Sequence, residues 1–253
     1  MTVLRTVTAT RYVTPLREGG SLPAIVEADD LGLYVLKFRG AGQGSAALAA
    51  ELISGEIGRL LGLPVPEIVL VEVDAALGRN EADPEIKDLL EASIGLNLGI
   101  DYLPGAVMFD PAAGDRVDVP LASEVVWFDA YTTNVDRTAR NPNLLWWHRR
   151  LYLIDHGASL YFHHDWPSGD RLMRSPFAAV KDHVLLPWAR EMAAAHDRLS
   201  PKLRRESLEA IVSAAPPEWL AGPVEGYVRF LAGRLDASQS FVSEAEHARA
   251  RLV

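Results

Sequence analysis

The feature that most restricts the fold is an uneven division of secondary-structure signals along the chain. Apolar alternation and β-branched runs crowd the first hundred residues around one long amphipathic helix, whereas the remainder reads as helical apart from one hairpin. Strands are expected at 6–13, 22–27, 33–39, 67–73 and 97–103. Residues 46–61 carry Leu48, Leu52, Ile53, Ile57, Leu60 and Leu61 near i, i+4, i+8 spacing and predict a helix. Gly62 suits its C-cap, and Pro64 and Pro66 prevent continuation. A short helix is expected at 84–93 and an apolar one at 119–131, before a hairpin formed by 144–147 and 151–154. Further helices are expected at 177–194, 201–214 and 224–235, and the last fifteen or so residues read as an exposed helix or frayed tail. A doubly wound sheet needs regular βα alternation, which is missing. The expected class is therefore α+β in two lobes, strand-rich over 1–102 and helix-rich over 103–253.

Charge and composition exclude several functions. The net charge is −9, and the only dense basic runs are Arg149-Arg150 and Lys202 to Arg205, so nucleic acid is not an expected partner. With no cysteine there is no disulfide, thiolate metal site or Cys nucleophile. Residues 1–14 lack the apolar core of a signal peptide, and no stretch approaches the ~18 apolar residues of a membrane span. A cytoplasmic location is expected.

The chemistry concentrates in Asn134-Val-Asp-Arg-Thr-Ala-Arg-Asn141 and Leu151-Tyr-Leu-Ile-Asp-His-Gly157. Asp136 and Asn141 stand five positions apart in a polar loop, and Asp155 ends an apolar strand two residues before a glycine. Phosphoryl transfer needs an oriented acceptor hydroxyl and metal-bound phosphates held in line. One Asp can accept the acceptor's proton, while an Asn and a second Asp offer hard oxygens to Mg²⁺. Taken singly, each residue reads equally well as an Asx-turn residue; the order and spacing favour function.

Upstream, Lys37 lies in an apolar strand, where a lone Lys usually just points to solvent. It could instead reach nucleotide phosphates with a helix Glu holding it, Glu51 before Glu56. Gly19, Gly20 and Ser21 could bring backbone N–H groups to phosphate oxygens, or simply form a hairpin turn. Gly40-Ala-Gly-Gln-Gly44 precedes a helix but lacks the Gly-Lys-Ser/Thr of a Walker A loop, and reads as a connector.

In this order, REGGSLP, YVLKFRGAGQG, AELISGEIGRLLGLPVP, GIDYLPG, NVDRTARNPNLLW and LYLIDHG, the sequence resembles the HipA-like kinase family, in particular its short stand-alone members. More distantly it is similar to protein kinases and phosphoinositide kinases. The resemblance runs from about Tyr12 to about Leu160. It implies a kinase-like fold and an ATP- and Mg²⁺-dependent phosphotransferase, with a hydroxyl acceptor that the sequence does not name. By the same resemblance Lys37 contacts the nucleotide phosphates, Glu51 pairs with it, and Gly19, Gly20 and Ser21 cover them. Asp101, Tyr102 and Leu103 form the hinge that receives adenine through its backbone; Asp136 is the base, and Asn141 and Asp155 hold the metal.

Three departures stand out. Thr138 sits where related kinases often have His, Asp155 is followed by His156 rather than Phe, and the chain is short for the N-terminal subdomain of full-length HipA toxins. An antitoxin-like partner is therefore not assumed. A HipA-type serine/threonine protein kinase is preferred to a small-molecule kinase of the aminoglycoside phosphotransferase type, which usually carries His-Gly-Asp where this chain has Asn134-Val135-Asp136. A pseudokinase serving as an interaction module has no positive support, since the expected catalytic side chains are present. His163-His164-Asp165 reads as loop residues rather than a metal site, and no Gly-x-Ser-x-Gly elbow points to a hydrolase.

Overall fold

A computed structural model describes residues 4–16, 22–42, 44–79 and 81–252. The first lobe contains strands β1 (Thr6–Pro15), β2 (Ala24–Ala28) and β3 (Leu33–Lys37), helix α1 (Gly44–Leu61), β4 (Ile68–Val73), α2 (Pro84–Ala92) and β5 (Gly95–Asp101). The second begins with β6 (Val107–Met108), α3 (Val119–Thr132), β7 (Leu144–Trp147) and β8 (Arg150–Leu153). It continues through α4 (Gly169–Met173), α5 (Met192–Leu199), α6 (Arg205–Ser213), α7 (Val224–Asp236) and α8 (Ser238–Ala250). This is the expected two-lobed α+β fold, strand-rich then helix-rich.

The five strands of the first lobe close into a barrel in the order β1-β2-β3-β5-β4. Every neighbouring pair is antiparallel except β1 with β4, which run parallel with Thr6 opposite Leu70. Val7, Val26, Leu36, Val69 and Val71 fill the barrel, which explains the β-branched content of these strands. Helix α1 belongs instead to the larger core that continues into the second lobe. It buries residues on nearly every face, Glu51 and Ser54 included, because it is wedged between the barrel and α6 with the 217–219 turn, and the Phe128 ring of α3 also reaches it. At Gly58 a Cβ would lie 2.9 Å from a Val65 methyl and 3.4 Å from the Phe128 ring, so only glycine permits that approach. The helix stops at Gly62, whose φ of +87° suits glycine, and the two prolines follow.

In the second lobe, α3 starts where the Asp118 side chain accepts from the Leu121 N–H at 3.2 Å and ends at Thr133 in the left-handed region. Its surroundings explain an apolar sequence with no polar face, since α5, α7 and α8 all pack on it. The β7–β8 hairpin turns on His148 and Arg149, both with positive φ, as a type I′ turn requires.

Two expectations are corrected. Residues 177–194 do not form one helix: they break into 3₁₀ turns, Ala178–Asp182 and Leu186–Trp188, and α5 begins only at Met192. Phe177 has a φ of +60°, Pro187 lacks an N–H, and His183 turns inward to a buried carboxylate, each incompatible with a continuous helix. Residues 238–250 form a regular helix, α8, with one face seated on the core rather than an exposed helix or frayed tail. Phe241 of α8 is fully buried, edge-on to Trp127 at 5.6 Å and beneath the Arg234 guanidinium at 4.9 Å. Phe241→Ala is therefore expected to cost about 3–5 kcal/mol in urea unfolding, the usual range for emptying a buried aromatic site. A loss below about 1 kcal/mol would place α8 outside the core.

Candidate active site

Lys37 is the last residue of β3, and its side chain leaves the barrel toward α1. Its Nζ donates to Glu51 Oε2 at 2.6 Å and to Asp155 Oδ1 at 2.5 Å, joining residues 14 and 118 positions away. Burial alone would lower the Lys37 pKa; the two carboxylates outweigh it and keep the ammonium charged. For Glu51 burial wins and the pKa rises despite Lys37, while for Asp155 the opposing pull of Lys37 prevails and holds its pKa low. Glu56, the weaker choice in the sequence, pairs with Arg59 at 3.1 Å and takes no part.

Asp155 adopts a φ of +56°, a left-handed conformation uncommon outside glycine although Asp tolerates it better than most. The β8 end is held upstream, where Ile154 N–H donates to the Asn143 carbonyl at 3.0 Å. Downstream, a Cβ at Gly157 would sit 3.5 Å from Glu51 Oε2 and 3.9 Å from Asp155 Oδ1, in ordinary van der Waals contact, so the glycine backbone lies directly beside the ion-paired carboxylates. Lys37, Ala41, Leu48, Glu51, Asp155 and Gly157 line a cleft at this point. One ammonium against two carboxylates leaves a surplus negative charge, and the oxygen donors are of the hard type that divalent cations prefer.

The 134–143 loop follows α3 and is braced by its own side chains. Asn141 Nδ2 donates to Asp136 Oδ2 at 2.7 Å and Asn143 Nδ2 to the same oxygen at 3.4 Å. The Asp136 N–H donates to Asn134 Oδ1, and the Thr138 N–H to the Asp136 and Asn141 carbonyls. Both side-chain donors fall on Oδ2, so Asp136 Oδ1 has no hydrogen-bond partner among the described residues. Asn141, donating through its nitrogen, keeps its amide oxygen for another partner.

Beneath the loop lies a network that the sequence reading did not identify. Asp129, fully buried in α3, accepts from Arg137 Nε at 2.5 Å, Asn134 Nδ2 at 3.0 Å and His183 Nε2 at 2.9 Å. Arg137, equally buried, also donates to the carbonyls of Asn143 and Ile154 and meets His156 Nδ1 at 3.2 Å. It therefore joins α3, the 134–143 loop and the approach to Asp155. Burial would raise the Asp129 pKa, but Arg137 and the His183 hydrogen bond hold the carboxyl well below the usual range. Burial, aided by Arg137, pushes His156 down to about 3, and burial likewise lowers His183. The available clue to Asp129 was a lone acid within the apolar run Val125-Val-Trp-Phe-Asp-Ala-Tyr131.

The expected hinge behaves unevenly. Asp101 N–H donates to the Glu67 carbonyl at 2.8 Å and Tyr102 N–H to the Leu33 carbonyl at 2.9 Å. Leu103 accepts from Ala106 N–H at its carbonyl, but its own N–H has no partner among the described residues. Gly19, Gly20 and Ser21 lie outside the described residues. His163 and His164 occupy a 3₁₀ turn with His163 buried against Tyr227. No group of three or more His, Cys, Asp or Glu side chains arranged to hold a metal occurs among the described residues.

Comparison with known proteins bears on the family and the fold. The model of the HipA-like kinase family matches residues 10–238. No curated protein matches the chain. Among solved structures, the proinflammatory kinase CtkA of Helicobacter pylori superposes with a TM-score of 0.56 at 14% identity, covering 98% of this chain and 99% of that one. The Golgi casein kinase with Mn/ADP bound gives a TM-score of 0.51 at 11% identity, covering 100% of this chain and 76% of that one. At these identities the two structures show a shared fold.

At neutral pH Asp129→Asn is expected to destabilise by about 3–5 kcal/mol, because it leaves Arg137 buried without its counter-charge. A depressed carboxyl pKa adds stability that is complete above the ordinary aspartate value of about 3.9 and is lost as pH falls toward the folded value. The gap between wild type and variant in urea unfolding should therefore narrow below about pH 4. A gap constant from neutral pH to about pH 3 would show that Asp129 titrates normally in the fold.

Proposed function

The chain belongs to the HipA-like kinase family, and from that premise we propose that it transfers the γ-phosphoryl group of ATP, with Mg²⁺, to a hydroxyl acceptor as a serine/threonine protein kinase. The observation that carries this reading is the Lys37 bridge to Glu51 and Asp155 across the two lobes. Two carboxylates against one ammonium leave a surplus negative charge, which suits a site that also receives a divalent cation. A lysine meant for phosphates needs one acid to aim it and an alternative partner for its charge when no phosphate is present.

In this reading the strand-rich lobe, 1–102, binds the nucleotide phosphates, and the helix-rich lobe, 103–253, carries the loop, metal ligands and acceptor surface. Glu51 keeps Lys37 extended while Lys37 turns its charge to the α/β-phosphates. Gly19, Gly20 and Ser21 cover those phosphates, and the Leu103 N–H is the hinge donor open to adenine, since those of Asp101 and Tyr102 are already engaged. Asp136 takes the acceptor's proton at Oδ1, the oxygen without a protein donor, while Asn141 fixes Oδ2. The Asn141 amide oxygen and the Asp155 carboxylate are the donors that fit Mg²⁺, whose charge would neutralise the phosphates in flight. Proton acceptance by a positioned carboxylate typically contributes 10²–10⁴-fold.

Thermal shift with ATP, with and without Mg²⁺, tests the site. A ligand binding only the folded state adds about 2.7 kcal/mol at a hundred times its Kd. The expected outcome is a Mg²⁺-dependent shift in wild type that disappears in Asp155→Ala; wild type unmoved at millimolar ATP would remove the nucleotide site. Asp136→Ala should keep the shift and lose at least about 10²-fold in phosphoryl transfer. Wild-type turnover in that variant would assign the base elsewhere.

A further inference from the structure

We infer that His183 is a positioning residue for Asp136, tying the segment after α4 to the 134–143 loop through Asp129. The inference rests on the reading of Asp136 as the base and names a residue that acts on it without touching substrate.

The tautomer of His183 follows from its neighbours. Leu185 N–H donates to His183 Nδ1 at 3.0 Å, so Nδ1 is an acceptor and the imidazole proton resides on Nε2. Nε2–H then donates to Asp129 Oδ2 at 2.9 Å, the same oxygen that Arg137 Nε reaches. Asn134 Nδ2 and Arg137 Nη2 occupy the other oxygen, at 3.0 and 3.4 Å. The carboxylate is thus fully used by four donors, and two of the three residues supplying them, Asn134 and Arg137, flank Asp136 within two positions. The charged groups facing His183 are Asp129 and Arg137, which neutralise each other, so a neutral imidazole completes the cluster without adding a buried charge.

The backbone repeats the connection. His183 forms an isolated antiparallel bridge with Thr138, and Val184 N–H donates to the Arg137 carbonyl at 3.1 Å. Arg137 and Thr138 are the two residues immediately after Asp136, so the segment grips the loop on both its side-chain and main-chain faces. Removing Nε2–H leaves Asp129 Oδ2 with Arg137 alone and lets the carboxylate and guanidinium rotate together, carrying Asp136 with them. Displacements on the order of 1 Å at a reacting group can cost about 10²-fold in rate.

The test compares His183→Phe, which removes the donor, with His183→Gln, whose side-chain amide can restore it. ADP release is followed with Mg·ATP and casein as a generic acceptor, together with hydrogen exchange of the Thr138 and Asn141 amides. The expected result for His183→Phe is a fall of about 10²-fold in kcat at unchanged KM for ATP, with His183→Gln regaining at least about tenfold. Wild-type kcat in His183→Phe, or His183→Gln no better than His183→Phe, would overturn the inference. If wild type releases no ADP with casein, the nucleotide thermal shift judges the kinase reading separately and the exchange data decide the coupling. Faster exchange of both amides in His183→Phe than in His183→Gln then upholds the coupling, and equal rates in all three proteins dismiss it.

Discussion

Asp129 and Arg137 form an ion pair with neither side chain exposed to solvent, and much of the molecule is arranged around satisfying it. Bringing two such charges out of water costs several kcal/mol per ion, and their mutual attraction repays this only when the remaining hydrogen-bonding capacity is also filled. Here Asn134 and His183 complete the carboxylate, while the Asn143 and Ile154 carbonyls and His156 complete the guanidinium. Those partners come from three pieces of chain: the 134–143 loop, residues 154–156 and the segment around His183. The pair accordingly fixes the end of α3, the loop, the residues before Asp155 and the segment around His183 relative to one another. Apolar side chains of the same volume could supply comparable stability, but they would not specify these orientations.

A second electrostatic link joins the lobes. Glu51 is presented by a helix that shares its core with the second lobe, Asp155 by the residues after β8, and Lys37 by the barrel. Because α1 is wedged on nearly all faces, Glu51 has little freedom, and the movable member of the trio is the long lysine side chain. Arg234 adds a mechanical counterpart on the far side. Its buried guanidinium donates to the Ala130 and Tyr131 carbonyls at the end of α3 and to those of Leu172, Met173 and Ser175. Helix α7 thereby holds the 172–175 segment against the helix that leads into the loop.

Much of this was legible in the residues. The alternation around Lys37, the i, i+4 stripe of α1 and the Asp-x₄-Asn spacing each depend on local rules, and the elements they predicted appear within a few positions. The structure brings Lys37 to Glu51, the helix acid the sequence favoured, and adds a contact of Lys37 with Asp155 that the sequence reading did not contain. What local rules could not show was tertiary. Residues 177–194 look helical by composition, yet one inward turn at His183 satisfies Asp129 and overrides the periodicity. Asp129 appeared as a single acid in an apolar helix, and its partners arrive from as far as 54 positions away. The tail seemed exposed because α8 offers few large apolar residues, of which Phe241 is enough to seat it. Backbone hydrogen bonding also separated the Asp101, Tyr102 and Leu103 N–H groups, which no side-chain pattern distinguishes.

The closure of the barrel has a consequence for how the chain is made. β1 completes the wall by lying parallel to β4, with Thr6 opposite Leu70, whereas β2 is the next strand in the chain and pairs with it antiparallel. A polypeptide growing at about 5–20 residues per second reaches Leu70 several seconds after Thr6, and β5, which must fill the gap between β3 and β4, comes later still. During that interval the edges of β1 and β3 that β4 and β5 cover in the fold have no partner, and unpaired strand edges are open to association with other chains. Sealing the barrel is a non-local, parallel pairing, the slow kind of contact to form. Closure of the barrel thus awaits β4 and β5 but needs no strand from the helical lobe.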